Sequence, residues 1–309
     1  MTLATPSLPQ TLYSTSAVRE LDRIAIQERN VAGLELMERA GQSAFDLMCE
    51  RWPQAKRVVV LCGMGNNGGD GYILARLAKE AQLDVCIMQL GDKSNLKGDA
   101  LAAATKCHAL DLQSEPYQPN LIEKADVVVD ALLGTGLDRE VDGDWRIAKE
   151  DINRMSEAIL SLDIPSGLNA DTGAVMGVAV KADACITFIG MKQGLMTAEG
   201  PALCGELSFS DLVVPEDIYE QVTTSARRVS VDELKTFLPR RERSTHKGQC
   251  GHVLVIGGDY GFAGAVRMAA EAAMRVGAGL VTVATRPEHA LNIPLARPEL
   301  MTRAVTSAE

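Results

Sequence analysis

The strongest constraint in this chain is a series of short, β-branched apolar runs separated by helix-like stretches. Residues 57–62 (RVVVLC), 84–89, 126–130 (DVVVD), 158–163 (AILSLD), 184–188 (ACITF) and 207–214 read as strands. Residues 72–81, 99–107 and 147–154 read as helices between them. Apolar strands alternating with helices specify an α/β fold, a doubly wound, Rossmann-like, mainly parallel sheet with helices on both faces. Right-handed crossovers bring the carboxyl ends of the strands to one rim. Residues 16–52 read as helical with a break near Gly33, and Pro53 closes the stretch. Aromatic residues make up only 4% of the chain, so aliphatic side chains must fill the core, as such a sheet requires.

Charge narrows the partners. The 309 residues carry 41 acidic and 31 basic side chains, a net charge of −10. That balance argues against nucleic acid, whose phosphates need a basic surface. A small anion is still allowed, because backbone amides supply local positive potential. No apolar run reaches the roughly 18 residues of a membrane span, so no membrane partner is expected. Residues 1–10 lack the basic cluster and apolar core of a signal peptide. Seven scattered cysteines without a C-x-x-C pair predict a reduced, cytoplasmic protein with no zinc site.

Beyond residue 216 the pattern changes. Residues 216–243 read as a polar linker with a short helix over 231–238. A second α/β unit then opens with HVLVIGG from His252, a helix over 264–276 and a strand over 280–284.

Three strand ends carry unusual loops. The first, from Gly63 to Gly71 (GMGNNGGDG), follows strand 57–62 and opens a helix; its glycines allow close approach and positive φ. Gly63, Gly65 and Gly68 satisfy G-x-G-x-x-G, which keeps a dinucleotide-binding dehydrogenase open as an alternative. Asn66, Asn67 and Asp70 fit that alternative poorly, because a carboxylate beside a pyrophosphate is unfavourable. The second loop follows Asp130, where Gly134 and Gly136 can form an amide nest beside Arg139. The third, after Asp163, presents Ser166 between Pro165 and Gly167. Ligands of open α/β sheets bind outside the strand carboxyl ends, so Asn66, Asn67, Asp130, Asp163 and Ser166 are expected to project into one crevice. Their oxygens suit a hard cation. No histidine neighbours the loops, which argues against a histidine dyad.

Four stretches together resemble the NAD(P)H-hydrate epimerase family of the YjeF N-terminal type: Leu36 to Gly41, Gly65 to Gly71, Val129 to Gly136 and Asp163 to Gly167. In addition, Thr245 to Gly248, Gly251 to Gly258 and Tyr260 to Ala265 resemble the start of the ribokinase-like, ADP- or ATP-dependent NAD(P)H-hydrate dehydratase. The resemblance implies an epimerase domain over residues 1–222. It also implies a linker and an incomplete dehydratase domain over 223–309, within a bifunctional metabolite-repair protein. The implied reaction interconverts the R and S forms of NADH or NADPH hydrated at the nicotinamide ring. Carried over by motif, Asn66, Asn67, Gly68, Gly69 and Asp70 bind substrate. Gly134, Thr135, Gly136, Leu137, Asp138, Arg139 and Glu140 hold phosphate or ribose. Asp163 lies near the reacting ring and Ala263 is a substrate contact of the second domain. Asn67, Asp130 and Ser166 ligate potassium.

Inversion needs a general acid or base, for which Asp163 is the first candidate and Asp70 the second. Because the chain ends at Glu309, dehydratase activity is expected to be absent, and strands 252–257 and 280–284 are expected to lack neighbours. A non-catalytic binding module of the same fold stays open, since fold alone does not fix function. The N-terminal helical arm leaves homo-oligomer formation open as well.

Overall fold

The computed structural model describes residues 8–155, 158–237 and 240–306. They form two compact units, divided at Ser230 and Val231. The expectations on the first seven residues and on the last residue of helix 231–238 fall outside the described residues.

In chain order, the first unit contains β1 (Thr11–Leu12), α1 (Thr15–Gln27), α2 (Gly33–Arg51), β2 (Arg57–Cys62) and α3 (Asn66–Glu80). Next come β3 (Asp84–Gln89), α4 (Gly98–His108), β4 (Ser114–Pro116), α5 (Pro119–Ile122), β5 (Val127–Ala131) and α6 (Asp144–Met155). It continues with β6 (Ile159–Leu162), β7 (Ala184–Phe188), α7 (Gly200–Leu203), β8 (Glu206–Ser210), α8 (Asp217–Glu220) and β9 (Ala226–Arg227).

Seven strands form a sheet in the order β4-β3-β2-β5-β6-β7-β8, and every pair is parallel. Side chains alternate across it. Val58, Val60 and Cys62 pack with α1 to α4 on one face, and Val59 and Leu61 pack with α5 and α6 on the other. The expected doubly wound α/β architecture is therefore the observed one. The chain reverses winding direction between β2 and β5, and the loops leaving those two strands open at this switch point.

Three boundaries differ from expectation. The helix expected at 72 begins at Asn66, because Gly68, Gly69 and Gly71 are helical and no glycine of the loop is left-handed. They serve close packing instead: a methyl group on Gly71 would stand 2.6 Å from Ala131 Cβ and 3.1 Å from Cys62 Sγ. The strand expected to 214 stops at Ser210, where Leu212 and Val213 turn left-handed. The first unit also runs past the boundary expected at 222, since β9 pairs antiparallel with β1.

The second unit contains α9 (Val231–Phe237), β10 (His252–Ile256), α10 (Ala263–Arg275), β11 (Leu280–Thr285), α11 (Pro287–Ala290) and β12 (Met301–Ala304). Its two expected strands do not lack neighbours. β10 pairs with β11, and β11 pairs in turn with β12, whose four residues carry too little apolar pattern to read from sequence. Val266, Ala270, Val281 and Val283 form the centre of its core.

Gly71→Val is expected to destabilise the first unit by about 1–3 kcal/mol through overpacking between α3 and the sheet. Urea unfolding checks this, and an unchanged midpoint would contradict the close approach.

Candidate functional site

The three loops and two helices enclose a cavity of about 840 Å³ at the carboxyl rim. Asn66, Asn67 and Asp70 line it from α3, whose N-cap, Gly65, makes no side-chain cap bond. The first amides of that helix therefore lack intrahelical partners and present positive potential. Gly68 and Gly69, expected as ligand contacts, do not line the cavity. Gly68 lies against the Gly63 backbone and Gly69 against Met37, so both serve helix packing.

Residues 134–140 line the opposite wall. Neither Gly134 nor Gly136 is left-handed, so the expected nest of alternating helical hands is not formed. Their value is proximity. A methyl group on Gly134 would stand 3.3 Å from Asn67 Cβ and 3.8 Å from Asp163 Oδ2, and one on Gly136 would stand 3.9 Å from Arg19 Nη2.

At the floor, Asp163 follows β6 with φ 64°. The Ile164 N–H bonds to Leu162 O at 2.7 Å, which makes Asp163 the centre of a three-residue turn with positive φ, a rare and strained form. The next strand repeats the device. Ile189 follows β7 with φ 56°, and the Gly190 N–H bonds to Phe188 O at 2.6 Å. Each central residue donates its own N–H to the neighbouring strand: Asp163 to Ile186 O at 2.7 Å, and Ile189 to Ser210 O at 2.9 Å. A non-glycine residue held left-handed costs about 1–2 kcal/mol, and such strain concentrates where side chains must be aimed.

Lys192 joins the two turns. Its ammonium is only 1% exposed and ion-pairs with Asp163 Oδ1. It also donates to Thr187 Oγ1 at 3.0 Å and to Phe188 O at 2.9 Å. Three donors meet three acceptors, so the buried charge is satisfied. Asp22, Asp70, Asp99, Asp138, Glu140 and Asp142 line the same cavity, and the first two lie within the electrostatic reach of Asp163 and Lys192. Burial pushes Asp70 well above the usual carboxylate range, and the charges of Asp163 and Asp22 add to the rise. Burial likewise lifts Asp22, on α1, to about 6, with Lys192 opposing and Asp163 adding.

Asp130 and Ser166 do not project into the crevice as expected. Both are fully buried behind it, because the Asp130 carboxylate turns inward to the chain. It accepts from the Ser166 N–H at 2.8 Å, Ser161 Oγ at 2.9 Å and the Leu132 N–H at 3.3 Å. Burial still raises its pKa against these bonds. The Ser166 hydroxyl accepts from the Leu133 N–H at 2.8 Å and donates to Leu133 O at 3.2 Å. Asn67 reaches the same carbonyl, with Nδ2 donating at 3.1 Å. Its Oδ1 is buried without a hydrogen-bond partner among the described residues, an acceptor open to a donor or a cation. Ala263 belongs to the second unit, where it opens α10.

Sequence reasoning missed Lys192 and Asp22. A lysine four residues beyond an apolar strand was the available signal for the first. Asp22 carries none, being one polar residue on an amphipathic helix.

A doubly wound α/β enzyme with a polar crevice at its switch point is what this fold and site define. The chain belongs to the family described as YjeF-related protein N-terminus, which matches residues 33–194. Residues 253–309 match the family described as NAD(P)H-hydrate dehydratase. The chain is 49% identical over 298 residues to a bifunctional NAD(P)H-hydrate repair enzyme, Nnr, of Coxiella burnetii, covering 96% of this chain and 61% of the relative. It therefore spans about three fifths of that protein's length. It is 32% identical over 252 residues to an NAD(P)H-hydrate epimerase of Legionella pneumophila, covering 79% of this chain and 93% of that one. The crystal structure of yeast ynu0, YNL200c, superposes with a TM-score of 0.60 at 18% identity, over 72% of this chain and 96% of that one. That likeness concerns the fold.

Asp70→Asn is expected to raise the melting temperature at pH 8, with the gain shrinking toward pH 4. Above its ordinary pKa the unfolded Asp70 releases a proton that the folded chain retains, so wild-type stability falls as pH rises. Melting curves across that range check the sign; a gain independent of pH would contradict it.

Proposed function

We propose that the first unit epimerises the R and S forms of hydrated NADH and NADPH. The observation that carries this reading is the convergence of α3, residues 134–140 and Asp163 on one cavity. Free helix amides, Arg19 and Arg139 supply attraction for a pyrophosphate on a chain that is otherwise acidic. Asp163 supplies a fixed carboxylate for proton transfer at the hydrated ring, held in place by Lys192 and by its own strained turn. The match to a relative named as an epimerase, over 79% of this chain and 93% of that one, supports the same substrate.

The dehydrogenase alternative needs an acidic group for the ribose at the tip of β3. There the Gln89 amide donates to the Cys62, Gly63 and Leu90 carbonyls, and Asp92 accepts from the Ser94 N–H at 2.9 Å. Neither lines the cavity.

Potassium belongs to the same proposal. Asn67, Asp130 and Ser166 would hold it, a donor set of amide, carboxylate and hydroxyl oxygens with the unpartnered Asn67 Oδ1 in its favour. Bound there, it would offset substrate phosphate charge and fix the loop after β5. The second unit is read as contributing to ADP- or ATP-dependent dehydration of the S form, within a cytoplasmic repair system.

Mixed hydrate epimers supplied with an S-specific dehydratase test the main reading. The chain is expected to make the R form disappear as well, whereas persistence of the R form would exclude epimerisation. Asp163→Asn is expected to lower interconversion by about 10²–10⁴-fold with the fold intact. A parent-like rate would remove Asp163 from the mechanism. Exchanging potassium for tetramethylammonium is expected to slow the reaction, and an unchanged rate would remove the cation.

A further inference from the structure

The site holds more carboxyl groups than a single proton transfer requires. Asp163, Asp70 and Asp22 line one cavity with Lys192. The three N–H bonds of Lys192 go to Asp163, Thr187 and Phe188, so its ammonium has no donor left for substrate or for a second carboxyl. Among the described residues, no hydrogen bond reaches the Asp22 or Asp70 carboxyl.

Inversion at the hydrated carbon imposes a two-sided demand. When the C–O bond breaks, the ring nitrogen lone pair fills the vacancy and the hydroxyl must receive a proton to leave as water. Water then adds to the opposite face and must lose a proton there. A carboxylate on one wall serves one face, so a second group on another wall must serve the other.

We propose that Asp22 is the second proton-transfer carboxyl of the epimerisation, delivering its proton to the hydroxyl that leaves from the face opposite the one served by Asp163. The water that adds gives its proton to Asp163, and that proton returns to Asp22 through solvent, so the site is restored with no net gain or loss. In the reverse direction the two residues exchange roles. This assignment rests on the epimerase reading.

Two observations favour Asp22 over Asp70. Asp70 is buried within α3 and held protonated by its surroundings, which suits a fixed hydrogen-bond donor. Asp22 is only partly buried and is poised at about 6, close enough to neutrality to give and take a proton. The groups that act on it are Asp163 and Lys192 from the strand tips, Asp70 from α3 and Tyr219 from α8, while Arg19 on its own helix, Asp99 on α4, and Asp138, Arg139, Glu140 and Asp142 line the same cavity. Lys192, the cation that acts on Asp22 from another element, is already engaged by Asp163.

The test measures interconversion of purified R-form NADH hydrate from pH 4.5 to 8 for the full chain, Asp22→Asn, Asp22→Glu and Asp163→Asn. The parent rate is expected to fall as pH rises through about 6, where Asp22 loses its proton. Asp22→Asn is expected to lower kcat by about 10²–10⁴-fold with KM nearly unchanged, and to lose that limb. Asp22→Glu is expected to recover part of the rate and to keep the limb. If the Asn variant melts early, the Glu variant carries the comparison, and a flat profile there overturns the proposal. A parent-like kcat in Asp22→Asn, or a slowed enzyme with the same limb, overturns the role of Asp22 while leaving the epimerase reading intact. A parent chain that leaves the hydrate unchanged overturns that reading and this proposal together.

Discussion

Parallel pairing forces every strand of the sheet to leave by the same edge, and the rest of the molecule follows from that constraint. The edge cannot be closed by tight hairpins, so each strand must continue into a helix or a long connection. Where the winding reverses, between β2 and β5, the connections part and leave a crevice. Everything polar in the cavity comes from a strand exit or from a helix leaning over it. Among the described residues, none at the opposite edge of the sheet lines the cavity.

Charge in that crevice is arranged by burial rather than by counting partners. Lys192, Arg19 and Arg139 share the cavity with several carboxyls, and among the described residues Asp163 is the cavity carboxyl with an ion-pair partner. Burial raises the pKa of Asp22 and Asp70, which favours their neutral forms. A neutral carboxyl does not repel an anion, so this burial lessens the repulsion that Asp22 and Asp70 would otherwise exert on one. Behind the wall the same logic applies to Asp130 and Lys149. Burial lowers Lys149 to about 8 while Asp130 opposes the shift, and the Lys149 ammonium donates to the Val178 carbonyl.

The sheet was legible because its strands are continuous apolar runs, which only a doubly covered sheet accommodates. β1, β4 and β9 were not, since two or three residues carry no periodicity. The start of α3 was misread for a different reason. Glycines normally punctuate helices, and here helical glycines let α3 lie against Ala131 and Cys62. The site was legible as far as loop chemistry goes, through Asn66, Asn67 and Asp163. Lys192 and Asp22 were hidden, because a lone lysine after a strand and a lone aspartate on a helix read as solvated surface. Their importance comes from the neighbours that the fold supplies.

The paired tight turns at Asp163 and Ile189 set durability against turnover at the same backbone positions. Glycine would relax either turn, yet it would also remove the side chain that the turn holds over the cavity. Selection for heat resistance alone would therefore drift toward a relaxed rim and a slower catalyst. The strain at these two strand exits lies where the chain aims side chains into the cavity at a cost in backbone energy.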